Sequence, residues 1–189
     1  MRYLTNSILI LCLTNCSPKT MNHSIGKVLS RIFDRTELTI APPLENDNSC
    51  EGKGKTLYVN THIQKMHVCI LGKKIETFDV SLGSSGLGKT KSGDRKTPIG
   101  VYGLGKPRKS RTKYYKFMHV QYPTSTQRAS GYTGGDVGVH GPPVRGDSFK
   151  KRNSRNWGAG CIVLGSDEET EKVADHVSKN NISKIIILN

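Results

Sequence analysis

From residue 56 onward the chain reads as short apolar runs broken by polar turns. TLYVNT (56–61), KMHVCIL (65–71) and KIETFDVSLG (74–83) are rich in β-branched residues, and two of them alternate as half-buried strands do. KFMHVQYP (116–123) and DVGVHG (136–141) read as further strands, and ISKIIILN (182–189) closes the chain as a buried one. Between them, SDEETEKVADHVSKNN (166–181) carries helical spacing, with Ser166 and Glu169 placed as a capping box and Val173 and Val177 on one face. Strands and helices do not alternate, which excludes a doubly wound parallel sheet. The order predicts a mainly-β domain, a sandwich or a partly closed barrel, with a few peripheral helices.

At 189 residues the chain holds one such domain with short appendages. Arg2 and the apolar run SILILCLT (7–14), too short to span a bilayer, read as an export signal. The run ends in LTNC (13–16), similar to the lipobox of bacterial lipoproteins, in which the cysteine is lipidated; Asn15 departs from the small residue preferred there. Lipidation at Cys16 and plain secretion both fit, and either places the mature protein in the periplasm or cell envelope. Residues 24–34 (SIGKVLSRIFD) carry apolar residues at helical spacing, and the Pro- and Asn-rich stretch 41–49 reads as a linker. The expected organisation is a signal over 1–16, a leader helix and linker over 17–54, and the β-rich domain over 55–189.

Charge narrows the partners. Lys and Arg number 29 against 15 Asp and Glu, a formal +14, so the protein is drawn to an anionic polymer or surface. With no zinc-finger spacing, aromatic RNA-binding signature or heptads, a nucleic-acid reading would rest on charge alone. An anionic cell-wall polymer suits an exported chain. The stretch 83–105 is dense in Gly, Lys and Ser, yet GLGKT lacks the upstream glycine of a phosphate-binding loop, and a strand rather than a helix follows it.

Export also bears on the five cysteines. Cys12 leaves with the signal and Cys16 is lipidated or lost, so Cys50, Cys69 and Cys161 remain where pairing is allowed. If Cys50 and Cys69 bridge, Cys161 stays a free thiol; alternatively Cys69, inside an apolar run, is a core residue. Cys161 follows Gly158, Ala159 and Gly160 and precedes the apolar Ile162-Val163-Leu164. One reading is a tight turn entering a strand with a small buried hydrophobe. The other is a nucleophile whose small neighbours let backbone N–H groups approach a reacting carbonyl.

A nucleophile needs a base, and His140 is the candidate, because it ends a strand and is followed by Gly141 and two prolines. His62, His67 and His176 read as surface groups and His119 as a core histidine. A Cys–His pair is expected to lower the thiol pKa. No cysteine and histidine sit at metal-ligand spacing, so neither a metal nor another cofactor is expected.

GDRKTPIGVY (93–102), YP (122–123), GVHG (138–141) and GCIVLGSDEE (160–169) stand in the order found in the L,D-transpeptidase catalytic domain, the YkuD family, which this chain resembles from Thr56 to the end. The resemblance implies a β-sandwich-like fold and a peptidoglycan acyltransferase. Cys161 would attack the amide after the third residue of a tetrapeptide stem, release D-alanine, form a thioester and pass the acyl group to an amine. His140 would be the base, and the backbone N–H groups of Gly160 and Cys161 the oxyanion hole. Gly141, Arg145, Trp157 and Ala159 are candidate substrate contacts.

Two positions depart from the family pattern. Where it usually reads Ser-His-Gly-Cys, this chain has Gly158-Ala159-Gly160-Cys161, and where arginine tends to follow two residues after the cysteine, it has Val163. Both changes remove polar contacts while sparing Cys161 and His140, and the basic insert 145–157 is a candidate replacement. A hydrolase on the same scaffold, with water in place of the amine, is the alternative activity; a wall-binding module that has lost activity is the alternative class.

Overall fold

The computed structural model describes residues 48–110, 113–143 and 156–188. The export signal, Cys16, the leader helix and Arg145, with most of the basic insert, lie outside them. The mainly-β expectation holds. Among the described residues there are nine strands: β1 (Thr56–Asn60), β2 (Lys65–Ile70), β3 (Lys73–Ser81), β4 (Gly100–Gly103), β5 (Arg108–Lys109), β6 (Lys116–His119), β7 (Gly138–His140), β8 (Ile162–Leu164) and β9 (Lys184–Leu188). Two α-helices accompany them, α1 (Ser125–Ala129) and α2 (Asp167–Asn180).

The strands form one sheet in the order β4-β9-β1-β2-β3-β8-β7-β6-β5. β1, β2 and β3 are a meander. The β2–β3 turn is Leu71-Gly72, both at positive φ, the backbone a two-residue hairpin requires. β3 joins the two halves: Lys73 to Asp79 pair with β2, whereas Val80 and Ser81 pair with Leu164 and Val163 of β8. Two neighbouring pairs are parallel, β1 with β9 and β7 with β8. Neither could be read from local pattern, because parallel partners are brought together by long connections.

The core lies between the sheet and α2. Leu57, Val59, Met66, Val68, Val80, Ile162, Ile185 and Ile187 are fully buried. Val173, Ala174 and Val177 of α2 close over them. Only half of its expected capping box forms. Ser166 Oγ accepts the Glu169 N–H (3.1 Å), but the Glu169 carboxylate accepts the Gly165 N–H (2.8 Å) rather than that of Ser166. A complete box caps the unanticipated α1, between Thr124 and Gln127.

A disulfide joins Cys50, in a short 3-10 turn, to Cys69 of β2, with Cα atoms 5.3 Å apart. His67 corrects its reading as a surface group. It lies within β2, buried, with Nδ1 2.8 Å from Thr77 Oγ1 and its ring stacked on Tyr58. Its β2 position, rather than its nearness to a turn, decides its burial. His176 is partly exposed on α2, with Nε2 2.9 Å from the Glu76 carboxylate. His119, expected in the core, is half-buried.

Candidate active site

β7 and β8 run side by side and parallel, with Val139 opposite Ile162 and His140 opposite Val163. One step back along the same register places Gly138 opposite Cys161. Residues two apart on a strand share a face, so Cys161 and His140 project from the same side of the sheet as diagonal neighbours. Here the Phe117 ring occupies the space that a side chain on Gly138 would need.

His140 is 2% exposed. Its ring stacks on Tyr114 with centroids 3.6 Å apart and on Phe117 at 5.9 Å. Nδ1 lies 2.6 Å from the Gly141 carbonyl oxygen. A carbonyl only accepts, so Nδ1 carries the proton and Nε2 is left as an acceptor. Burial lowers the imidazole pKa to about 4, outweighing the upward pull of the Gly141 carbonyl. At neutral pH the ring is uncharged.

Cys161 is the free cysteine among the described residues. Its Sγ lies 3.5 Å from the Asp136 carbonyl oxygen, which accepts from the thiol. Burial pushes the thiol pKa up and the Asp136 carboxylate adds to this; a backbone hydrogen bond from Gly138 and the Lys89 ammonium pull it down without reversing the direction. The expected lowering of the thiol pKa is therefore overturned. The neighbouring histidine is neutral and supplies no stabilising charge, so thiol and imidazole rest as an uncharged pair.

The loop before Cys161 is braced from below by the Gly- and Lys-rich segment that sequence reading left without a role. Gly158 donates its N–H to Leu82 O and accepts from Ser84 N (3.0 and 2.8 Å). Gly160 has φ +118°, and a Cβ there would approach Lys96 O to 2.7 Å, so only glycine fits. Lys96 is itself positioned by Asp94. The Asp94 carboxylate accepts from Thr90 N, Lys91 N and Lys96 N (2.9–3.1 Å) and from Lys89 Nζ (2.7 Å). Burial opposes ionisation of Asp94, but Lys89 and the three amides overcome it and hold the carboxyl far below its usual range. The pattern that could have flagged Asp94 is its place in GDRKTP, where an acidic side chain after glycine can gather successive amides.

A cleft of about 400 Å³ opens over the site, lined by Cys161, Asp136, Tyr114 and Phe117 together with Arg108, Lys109, Ser110 and Lys113. The structure places the other expected contacts unevenly. Gly141 is buried under α2, Trp157 is half-buried, and Ala159 is exposed. Val163 is fully buried, opposite both His140 and Ser81. Among the described residues, no three His, Cys, Asp or Glu side chains converge as a metal-ligand group.

Comparison with known proteins adds a family. A family model described as the L,D-transpeptidase catalytic domain, YkuD, matches residues 54–187. The Escherichia coli protein named putative L,D-transpeptidase YafK is 33% identical over 72 residues, which cover 37% of this chain and 29% of the relative. The crystal structure of Pgp2, a helical cell shape determining protein from Campylobacter jejuni, superposes with a TM-score of 0.59 at 27% identity, over 70% of this chain and 46% of that one. Bd1075 of Bdellovibrio bacteriovorus shares the fold, with a TM-score of 0.52 at 21% identity over 71% of this chain and 48% of that one. The match thus spans under a third of the curated relative and under half of each of these two solved chains.

Proposed function

The chain belongs to the YkuD family of L,D-transpeptidase catalytic domains, and from that premise we propose that it is a cysteine acyltransferase acting on peptidoglycan stem peptides. The observation that carries the reading is the diagonal placement of Cys161 and His140 on one face of two parallel strands, with the Nδ1 proton committed to Gly141 and Nε2 left to accept. The stem carbonyl after the third residue sits over Cys161. His140 Nε2 takes the thiol proton as sulfur attacks, because an uncharged pair has no thiolate stored in advance. The oxyanion forms against the backbone N–H groups of Gly160 and Cys161, in a loop tied at Gly158 to Leu82 and Ser84. Collapse breaks the C–N bond, His140 returns the proton to the departing D-alanine amine, and a thioester remains on Cys161. An amine of a neighbouring stem then attacks the thioester, giving its proton to His140; collapse breaks the C–S bond and leaves the new amide, and His140 returns the proton to the departing Cys161 sulfur.

Export, the signal over residues 1–16, attachment through Cys16 and attraction to anionic wall polymer belong to the same proposal, and sequence and charge support them. The likeness to a protein named for determining cell shape extends the proposal to wall remodelling that shapes the cell. Incubation with purified tetrapeptide muropeptides, followed by mass spectrometry, tests it. A cross-linked dimer with release of D-alanine is the expected product. A shortened stem without dimer would make the chain a hydrolase, and unchanged muropeptides would refute enzymatic action on them.

A further inference from the structure

The lining of the cleft is rich in basic residues. Arg108 and Lys109 of β5, and Lys113 beyond it, all line it. Among the described residues no carboxylate pairs with any of the three, and Asp136 is the one acidic residue of the lining.

Arg108 holds a particular place in the sheet. It lies opposite Phe117, Phe117 opposite His140, His140 opposite Val163, and Val163 opposite Ser81. Residues directly opposite share a face, so this is one row of side chains crossing five strands, with Arg108 at its open end. Two strand spacings, roughly 10 Å, separate it from His140. The Arg108 guanidinium lies 5.4 Å from the Phe117 ring centroid, a contact that holds the cation over the cleft while leaving its N–H groups unused. At Val163, where the family resemblance leads one to expect arginine, the same row is fully buried and has no room for a hydrated cation.

Resting on the reading that the cleft receives a stem peptide, we propose that Arg108, with Lys113 lining the same cleft, binds a carboxylate of that peptide and replaces the cation missing at Val163 from the other side of His140. The carboxylate has two sources on a donor stem: the terminal carboxylate of the leaving residue, and the side-chain carboxylate of the third residue when that is a diamino diacid.

Three synthetic tetrapeptides distinguish them: the free diacid, one amidated at its terminus, and one amidated at the third-residue side chain. Each is titrated calorimetrically against full-length protein carrying Cys161→Ala, with and without Arg108→Gln, and turned over by wild type and Arg108→Gln. Arg108→Gln should weaken binding of the diacid about tenfold, as loss of a charge-assisted hydrogen bond does. The loss should appear in KM more than in kcat. Amidating the carboxylate that Arg108 holds should cost the parent the same factor and cost the Arg108→Gln variant nothing further, whereas the other amide should leave the effect of the substitution intact. An affinity unchanged by Arg108→Gln, or an equal loss on all three peptides, overturns the inference whether or not the wild type turns them over. Binding that depends on Arg108 without any turnover would instead refute the acyltransferase reading and leave the carboxylate site standing.

Discussion

Burying His140 uncharged makes the stability of this domain depend on pH in a defined window. The imidazole pKa falls from 6.5 to about 4 in the fold. A difference of about 2.5 units corresponds to roughly 3 kcal/mol between the protonation states. The folded value is the depressed one, so below 6.5 the unfolded chain takes up a proton that the native state refuses. The contribution is complete above pH 6.5, declines as pH falls, and is exhausted near pH 4; about 2.5 kcal/mol should be gone by pH 4.5. His67 is also buried, and Asp94, Glu171 and Asp175 have lowered pKa values whose stabilisation is lost at more acid pH. The measurement is therefore a comparison. Urea unfolding of wild type and His140→Gln is followed at pH 7.5, 5.5 and 4.5, and the decline from pH 7.5 to 4.5 should be smaller in the variant by about 2.5 kcal/mol. Equal declines in the two proteins would show that His140 is not held neutral by burial, and the proton inventory of the proposed mechanism would fall with it.

Cys161→Ala should abolish thioester formation, read by intact mass, while leaving the unfolding free energy within about 1 kcal/mol of wild type, since it removes one atom beside an open cleft; retained turnover would remove Cys161 from the chemistry. Asp94→Asn leaves the Lys89 ammonium, whose side chain is 4% exposed, without its carboxylate, and urea unfolding should report a loss of about 3 kcal/mol or more. A loss under about 1 kcal/mol would mean that water replaces the carboxylate. Cys50→Ala combined with Cys69→Ala opens a loop whose ends are 19 residues apart and should cost about 3 kcal/mol with turnover retained; loss of turnover at a temperature where the variant is folded would tie the bridge to the site.

Much of the framework is written in local pattern. β1, β2, β3, β9 and α2 are long enough for their apolar spacing to announce them. The reactive types, a cysteine among small residues and a histidine at a strand end, stand out because few side chains can do such chemistry. β5 has two residues and no pattern of its own; it is a strand because β6 lies beside it. α1, with five residues, is too short for periodicity to show, although its Thr124–Gln127 box is visible once sought.

Periodicity and residue chemistry are properties of neighbours along the chain, and they determined by themselves the mainly-β class and the pairing of Cys161 with His140 as candidates. Desolvation and register depend on what other segments bring alongside, and only the tertiary structure decided them. Tyr114 and Phe117, more than 20 residues before His140, cover its ring and make it neutral. Desolvation pushes the Cys161 thiol pKa up, against what the two residue types alone suggest. Lys89 and Asp94 belong to a loop whose sequence resembles a phosphate site, and only the fold brings that loop close enough to Gly160 to leave no room for a side chain there. Arg108 reaches the row of His140 because β5, β6 and β7 pair in one register, an alignment set by packing across strands that no single segment of sequence contains.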